Sequence, residues 1–226
     1  CAIAIVQRRA RGQVHEPYSE RNAMTTSDFD TRAATWDDDP TKVDRAQAVA
    51  DAIVRHVSLT GSMRAMEYGC GTGLLSFMLR PRLGQVTLAD VSDGMLAVAA
   101  GKIAAANDAA MRAVKLDLLI DPMPAERYDI IYSLMTLHHI PDTDAILRRF
   151  HAVLATNGLL CLADLDTEDG SFHGAGFDGH LGFDRGRLGA TAREAGFAMV
   201  EFSTAHEVEK NVDGRPKRSL PIMKVS

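Results

Sequence analysis

The segment most informative about the fold is Glu67-Tyr68-Gly69-Cys70-Gly71-Thr72-Gly73-Leu74. It follows residues 63–68, which read as a buried strand interrupted by Glu67, and it runs into an apolar segment of helical pattern. Glycines permit a tight turn and let a ligand approach the backbone closely. The N-terminus of the helix, which Thr72 is predicted to cap, offers free N–H groups to an anionic ligand.

The spacing of these glycines distinguishes two kinds of nucleotide loop. A dinucleotide fingerprint has glycine at the first, third and sixth positions. Counted from Gly69, the sixth position is Leu74, so the pattern here is G-x-G-x-G. The spacing therefore argues against a standard NAD-binding loop.

Strand-like and helical patterns alternate along the rest of the chain. Such alternation predicts a mostly parallel sheet with helices on both faces. We expect a helix to begin at Asp39-Pro40, and others to begin near Ser92, at Asp142 or Thr143, and near Asp184. The further strands are predicted at residues 85–89, 112–116, 128–134 and 159–163, with two more extended segments at 197–205 and 220–225.

The length of 226 residues suits one α/β domain. The sequence opens without an initiator methionine, whereas Met24-Thr-Thr-Ser looks like a natural start. We therefore expect residues 1–23 to be a disordered or artificial extension and residues 24–226 to form a single domain.

Composition disfavours several classes of partner. The formal net charge is -5 and the basic residues are scattered, which is unusual for a protein that binds nucleic acid. Cys1, Cys70 and Cys161 form neither a disulfide framework nor a metal-ligand pattern, so a reducing cytoplasm fits best. No apolar run approaches the roughly 20 residues that span a membrane. We expect the protein to be a monomer or a homodimer.

Two carboxylates follow the second and third strands of the predicted sheet. Asp90 ends the second strand and Asp117 follows the third. Because the carboxyl ends of parallel strands meet at one edge, where ligands bind, both should lie near the glycine loop. Asp90 could accept the two ribose hydroxyls of a nucleoside, and Asp117 could accept a hydrogen bond from an adenine amino group.

The ordered set of motifs resembles the class I S-adenosylmethionine (SAM)-dependent methyltransferases, above all the broad group (methyltransferase types 11 and 12) that includes the ubiquinone and menaquinone biosynthesis enzymes. The likeness spans about residues 28–226. It rests on the glycine loop, Asp90-Val91-Ser92-x-x-Met95-Leu96, Asp117-Leu118 and the segment 128–140. It implies a Rossmann-like, doubly wound, seven-stranded sheet whose last two strands form an antiparallel edge. It also implies SAM as cofactor, S-adenosylhomocysteine (SAH) as product, and a small-molecule acceptor.

The resemblance also implies the residues that bind the cofactor. The residues expected around the methionine and ribose parts are Glu67, Gly69, Cys70, Gly71, Gly73, Asp90, Ser133 and Leu134. Those expected around the adenine are Val91, Met95, Asp117 and Leu118. N-terminal lid helices are expected at about residues 27–60, with Trp36 packing near the cofactor.

The sequence says less about the residues that would contact the methyl acceptor. Methyl transfer is an in-line displacement in which the protein mainly aligns the reactants, and a base is needed only if the nucleophile must lose a proton. His139, and less strongly His138, are the candidate catalytic residues after the fourth strand, although both could merely shape that loop. The acidic, glycine-rich segment 164–182 is expected to form part of the substrate pocket. No tight ligand spacing supports a metal site.

Other functions remain as alternatives. A non-catalytic SAM- or SAH-binding regulatory protein would have the same cofactor site. An NAD(P)-dependent oxidoreductase is disfavoured by the glycine spacing and by the absence of a Tyr-x-x-x-Lys pair. A nucleic-acid methyltransferase would usually carry Asn-Pro-Pro-Tyr or a similar motif where this chain has Ser133-Leu134-Met135-Thr136. The acceptor atom, whether oxygen, nitrogen, carbon or sulfur, is left open.

Overall fold

The computed structural model describes residues 2–8, 26–170, 172–173, 177–212 and 215–219. The strands are β1 Ala2–Arg8, β2 Arg64–Tyr68, β3 Gln85–Asp90, β4 Met111–Lys115, β5 Tyr128–Leu134, β6 Leu154–Asp164, β7 Phe197–Thr204, β8 Val208–Val212 and β9 Arg215–Ser219. The α-helices are α1 Thr26–Arg32, α2 Pro40–His56, α3 Leu74–Leu79, α4 Asp93–Ala106, α5 Thr143–Val153 and α6 Arg185–Glu194.

Five parallel strands form the centre of the fold, in the order β4-β3-β2-β5-β6. Ile130, Ile131 and Tyr132 in β5 are fully buried in succession, as expected for a strand that is covered on both faces. The parallel sheet and its intervening helices confirm the predicted Rossmann-like α/β fold.

The antiparallel part of the sheet differs from the expectation. Strand β1 lies between β6 and β7 and pairs antiparallel with both, so β7 runs in the same direction as β6. The expected antiparallel edge of the last two segments is therefore not confirmed, and residues 220–225 lie outside the described residues. Residues 2–8, which fall within the expected N-terminal extension, form β1 inside the sheet, and local pattern does not reveal which distant strand a segment pairs with. That residues 1–23 are an extension of the native protein stays a prediction.

Most helices begin where the sequence predicts. Side chains of Asp39, Ser92, Asp142 and Asp184 accept hydrogen bonds from backbone N–H groups of the first turns of α2, α4, α5 and α6. The prediction that Thr72 caps α3 is wrong. Gly73 occupies the N-cap position with a φ of 85°, and the Thr72 hydroxyl instead donates to Asp37 Oδ1 at 2.5 Å.

A lid made of α1, the following 3₁₀ turn Ala33–Asp38 and α2 packs beside the carboxyl edge of the sheet. Asp30 Oδ1 accepts hydrogen bonds from Ser92 Oγ at 2.6 Å and from Gly94 N at 2.8 Å. Asp37 accepts from Thr72 and, at 2.7 Å, from Lys102 Nζ. These contacts attach the lid to the start of α4 and to the glycine loop. Within the described ranges, no helix combines the length and apolarity that a bilayer crossing requires.

Candidate cofactor and substrate site

A cavity of about 570 Å³ lies between the lid and the carboxyl ends of β2, β3 and β5. It is lined by most of the residues that the sequence predicts for the site: Trp36, Glu67, Gly69, Cys70, Gly71, Asp90, Val91, Met95, Leu134, His138 and His139. The volume lies within the range of small-molecule sites. One cavity therefore joins the glycine loop to the two candidate catalytic histidines.

The glycine loop owes its shape to positive φ angles, which are 67° at Gly69, 52° at Gly71 and 85° at Gly73. A Cβ atom on Gly69 would overlap the side chain of Thr136 in the loop after β5. A Cβ atom on Gly71 would lie 3.9 Å from the Trp36 Nε1 atom, on the cavity side of the loop. The first glycine is thus required by packing, and the second leaves room for a ligand.

Asp90 connects the end of β3 to this loop. Its Oδ2 accepts a hydrogen bond from Gly71 N at 2.7 Å, and its Oδ1 accepts one from Ser92 N at 2.9 Å. Burial raises the pKa of Asp90, while these backbone hydrogen bonds oppose the shift. Each carboxylate oxygen has a second lone pair, so Asp90 can hold the loop and still accept hydroxyl groups of a ligand.

Glu67 is a buried carboxyl group at the end of β2, 2% exposed, and it reaches the cavity. Its Oε2 accepts a hydrogen bond from Ser76 N at 3.0 Å. Burial raises the pKa of Glu67 to about 8, which favours the protonated form near neutral pH. A nearby ligand cation would favour the ionised form.

Glu67→Gln is expected to remove much of the pH dependence of stability between pH 4.5 and about 8. The folded protein binds this proton more tightly than the unfolded chain, so the stabilisation is complete below pH 4.5 and is lost as the pH rises through about 8. Glu67 is expected to change the free energy of unfolding by up to about 1.4 kcal/mol per pH unit in this window. Urea unfolding of both proteins across this window measures it. Glutamine keeps an acceptor for Ser76 N, and equal slopes in the two proteins would contradict the assignment.

Four predicted cofactor residues do not line the cavity: Gly73, Asp117, Leu118 and Ser133. Leu118 N donates to the Tyr68 hydroxyl at 3.1 Å, and Ser133 Oγ donates to Tyr68 O at 2.6 Å. Asp117 Oδ1 accepts from Leu119 N at 2.8 Å. Leu118 and Ser133 thus hold Tyr68 at the end of β2, and Asp117 holds the turn after β4. The roles of all four residues toward a cofactor stay predictions.

His138 is held by Asp164 at the end of β6. Its Nδ1 lies 2.6 Å from Asp164 Oδ1, and its backbone N donates to Oδ2 at 3.2 Å. Burial acts to raise the pKa of Asp164, but the charge on His138 and these hydrogen bonds outweigh burial and lower it. The ring of His138, 1% exposed, is therefore fixed in orientation by a buried partner.

His139 has a different environment on the same 3₁₀ turn, Leu137–His139. Burial, together with the charge on His138, lowers the pKa of His139 to about 3. Its Nδ1 is buried and has no hydrogen-bond partner among the described residues. The ring packs edge-on against Phe29 of the lid, with centroids 5.4 Å apart. His139 thus presents a neutral imidazole to the cavity.

The segment 164–182 contributes to the cavity only in part. Phe172 and His173 line it, and the His173 ring stacks on Phe177 at 3.8 Å. Asp166 instead pairs with Arg185, and His180 donates to Ile140 O at 2.9 Å, which holds the segment in place. Across the part of the chain that is described, no three His, Cys, Asp or Glu side chains are arranged to hold a metal ion.

Three cationic lid residues that the sequence analysis did not single out also line the cavity: Arg32, Lys42 and Arg45. The sequence pattern of α2 could have identified Arg45. Arg45 lies at helical spacing from Val49 and Ala52, which are buried, so it places a charge on an apolar helix face. Such a residue is a candidate for ligand contact, and the helix pattern alone contained this information.

Comparison with known proteins agrees with the geometry. Residues 66–160 match a family model described as a methyltransferase domain. A 27-O-demethylrifamycin SV methyltransferase of Amycolatopsis mediterranei is 27% identical over 138 residues, which cover 57% of this chain and 48% of that protein. A ubiquinone biosynthesis O-methyltransferase of Bradyrhizobium diazoefficiens is 30% identical over 119 residues, covering 53% and 46%. The chain spans about half the length of these curated relatives.

The solved structure of a DhpI–SAH complex has the same fold, with a TM-score of 0.63 and 21% identity over 80% of this chain and 89% of that one. At this identity the likeness concerns the fold. The domain match extends from β2 into β6 and so includes the glycine loop, Asp90 and both histidines. In its glycine loop, its parallel sheet and its match to a methyltransferase domain over residues 66–160, the chain is similar to the class I SAM-dependent methyltransferases.

Proposed function

We propose that this protein transfers a methyl group from SAM to a small-molecule acceptor. The observation that carries the proposal is the single cavity in which the glycine loop and Asp90 face the same space as His139 and Phe172. A cofactor site and an acceptor site that share one cavity permit the in-line displacement that methyl transfer requires.

The cofactor end of the proposed site lies over β2 and β3. Asp90 would accept the ribose hydroxyls, and Val91 with Met95 would contact the adenine. Glu67 would accept a hydrogen bond from the amino group of the methionine part, and the ligand cation would lower the pKa that burial has raised to about 8. Gly69, Cys70 and Gly71 would pass beneath the ligand without filling the cavity.

The acceptor end lies toward the loop after β5 and the segment 164–182. When bound, SAM supplies the electrophilic methyl group, and the protein aligns the nucleophile and excludes water. His139, neutral and with an Nδ1 to which no described residue is hydrogen-bonded, would accept a hydrogen bond from the acceptor's nucleophilic group and orient it. His138 would keep its neighbour in place through its contact with Asp164.

The test combines binding and turnover. Calorimetric titration with SAM and with SAH should give micromolar dissociation constants. Incubation with SAM and acceptors bearing hydroxyl, amine, thiol or carbon nucleophiles should then release SAH, measured by mass spectrometry. His139→Ala should keep the SAH affinity and slow SAH release. Failure of the folded protein to bind either ligand would refute the proposal, and binding without turnover across the acceptor set would favour the non-catalytic alternative.

A further inference from the structure

The charges that line the cavity are segregated between its two walls. The lining acids are Glu67 and Asp90, at the ends of β2 and β3. The cations Arg32, Lys42 and Arg45 all come from the lid. A ligand group near the lid therefore meets positive charge, whereas the nucleoside end of the cavity meets carboxylates.

Most of the cationic groups that line the cavity are either paired with a carboxylate or exposed to solvent. Lys42 Nζ lies 3.3 Å from Asp39 Oδ2 and 4.0 Å above the Trp36 ring. Arg32 is exposed at the end of α1. His138 is paired with Asp164. These groups add little uncompensated charge to the cavity.

Arg45 is the exception. Its Nε is buried and makes no hydrogen bond to any described residue. The carboxylates that act on it electrostatically are Asp39 and Asp164, and both are engaged elsewhere, with Thr41 and Lys42 and with His138 respectively. A guanidinium group stays charged, and burial of its Nε without an acceptor is unfavourable. An anionic ligand group at this position would supply the missing acceptor.

The position of Arg45 points to the acceptor rather than to the nucleoside. Asp164, which acts on Arg45, ends β6, and β6 is separated by β5 from the strand that carries the glycine loop. The aromatic walls of this end are Phe29, His139, Phe172 and His173. A single uncompensated guanidinium matches a monoanion, and its planar fork matches a carboxylate.

We propose that the methyl acceptor is a small aromatic carboxylate whose carboxylate group is bound by Arg45. This inference rests on the proposed function, because it places the acceptor beside the bound cofactor. The flat rings would contact the aromatic body of the acceptor, and the guanidinium would set its direction relative to the methyl group.

The test compares benzoate with its neutral isostere benzamide, titrated into protein saturated with SAH. The wild type should bind benzoate about tenfold or more tightly than benzamide, as expected for a charge-assisted contact. Arg45→Gln should abolish this preference, and Arg45→Lys should restore part of it. Arg55→Gln, which removes the same charge from an exposed site on the same helix, should leave the preference unchanged.

Equal binding of benzoate and benzamide, no binding of benzoate, or a preference that survives Arg45→Gln would each overturn the inference. A second comparison identifies the source of the anion. If Arg45→Gln weakens SAH but leaves 5′-methylthioadenosine, which lacks the methionine carboxylate, unaffected, then Arg45 binds the cofactor and the inference is wrong. Loss of SAH binding by the wild type would instead be a failure of the proposed function.

Discussion

Asp90→Ala is expected to lower the affinity for SAH by about 100-fold or more, the result of losing two charge-assisted hydrogen bonds to ribose hydroxyls. The loss has a second cause within the protein. Asp90 accepts from Gly71 N at 2.7 Å, so the substitution also frees the central glycine of the loop. The dissociation constant is measured by calorimetry, and the change in the intrinsic fluorescence of Trp36, the protein's single tryptophan, gives an independent reading.

Asp93→Ala is the matched control for this experiment. Asp93 lies three residues further along the chain, at the start of α4, where its side chain is 73% exposed and pairs with Lys115. Removal of this charge should change the SAH affinity little, because an exposed pair contributes little. Full SAH affinity in Asp90→Ala would contradict the ribose contact, and an equal loss in both variants would show that only net charge matters.

Gly69→Ala is expected to destabilise the fold by about 2–4 kcal/mol and to abolish SAH binding. The φ of 67° is unfavourable for alanine. The added Cβ would also overlap Thr136, whose side chain donates a hydrogen bond to Gly69 O. The loop after β5 would have to move, and it carries His138 and His139. Urea unfolding and SAH calorimetry measure the two effects.

Gly101→Ala provides the comparison. Gly101 lies on an exposed face of α4, where an added Cβ meets nothing within 4 Å. Alanine there should stabilise the protein by about 1 kcal/mol through helix propensity. If Gly69→Ala proved as stable as the wild type and still bound SAH, the close approach of the glycine loop to the loop after β5 would be incorrect.

Much of the proposed cofactor end of the cavity could be predicted from local sequence. Glycines with positive φ, strand-end carboxylates and helix caps depend on residues that are close in the chain, so their pattern is visible without a fold. The parallel arrangement followed from the alternation of strands and helices. Asp90, placed at a strand end by this reasoning, does meet Gly71 of the loop across two adjacent strands.

Features that depend on distant residues could not be predicted in this way. Thr72 has the composition of a helix cap, but Asp37 of the lid takes its hydroxyl. Strand β1 pairs with β6 and β7, and no local pattern identifies partners so far along the chain. The pairing of His138 with Asp164, which separates its environment from that of His139, likewise joins the ends of two strands.

Local spacing was therefore enough to predict the fold class, the glycine loop and the strand-end carboxylate Asp90 that lines the cavity, because each depends on neighbouring residues. Which cavity-lining charges lack a hydrogen-bond partner among the described residues became visible only in the folded structure. Arg45 is one cation among many in the sequence, and the burial of its Nε near carboxylates that are already engaged arises from the packing of the lid against the sheet. Burial and pairing are properties of the assembled fold, and they decide where a ligand's charge can be bound.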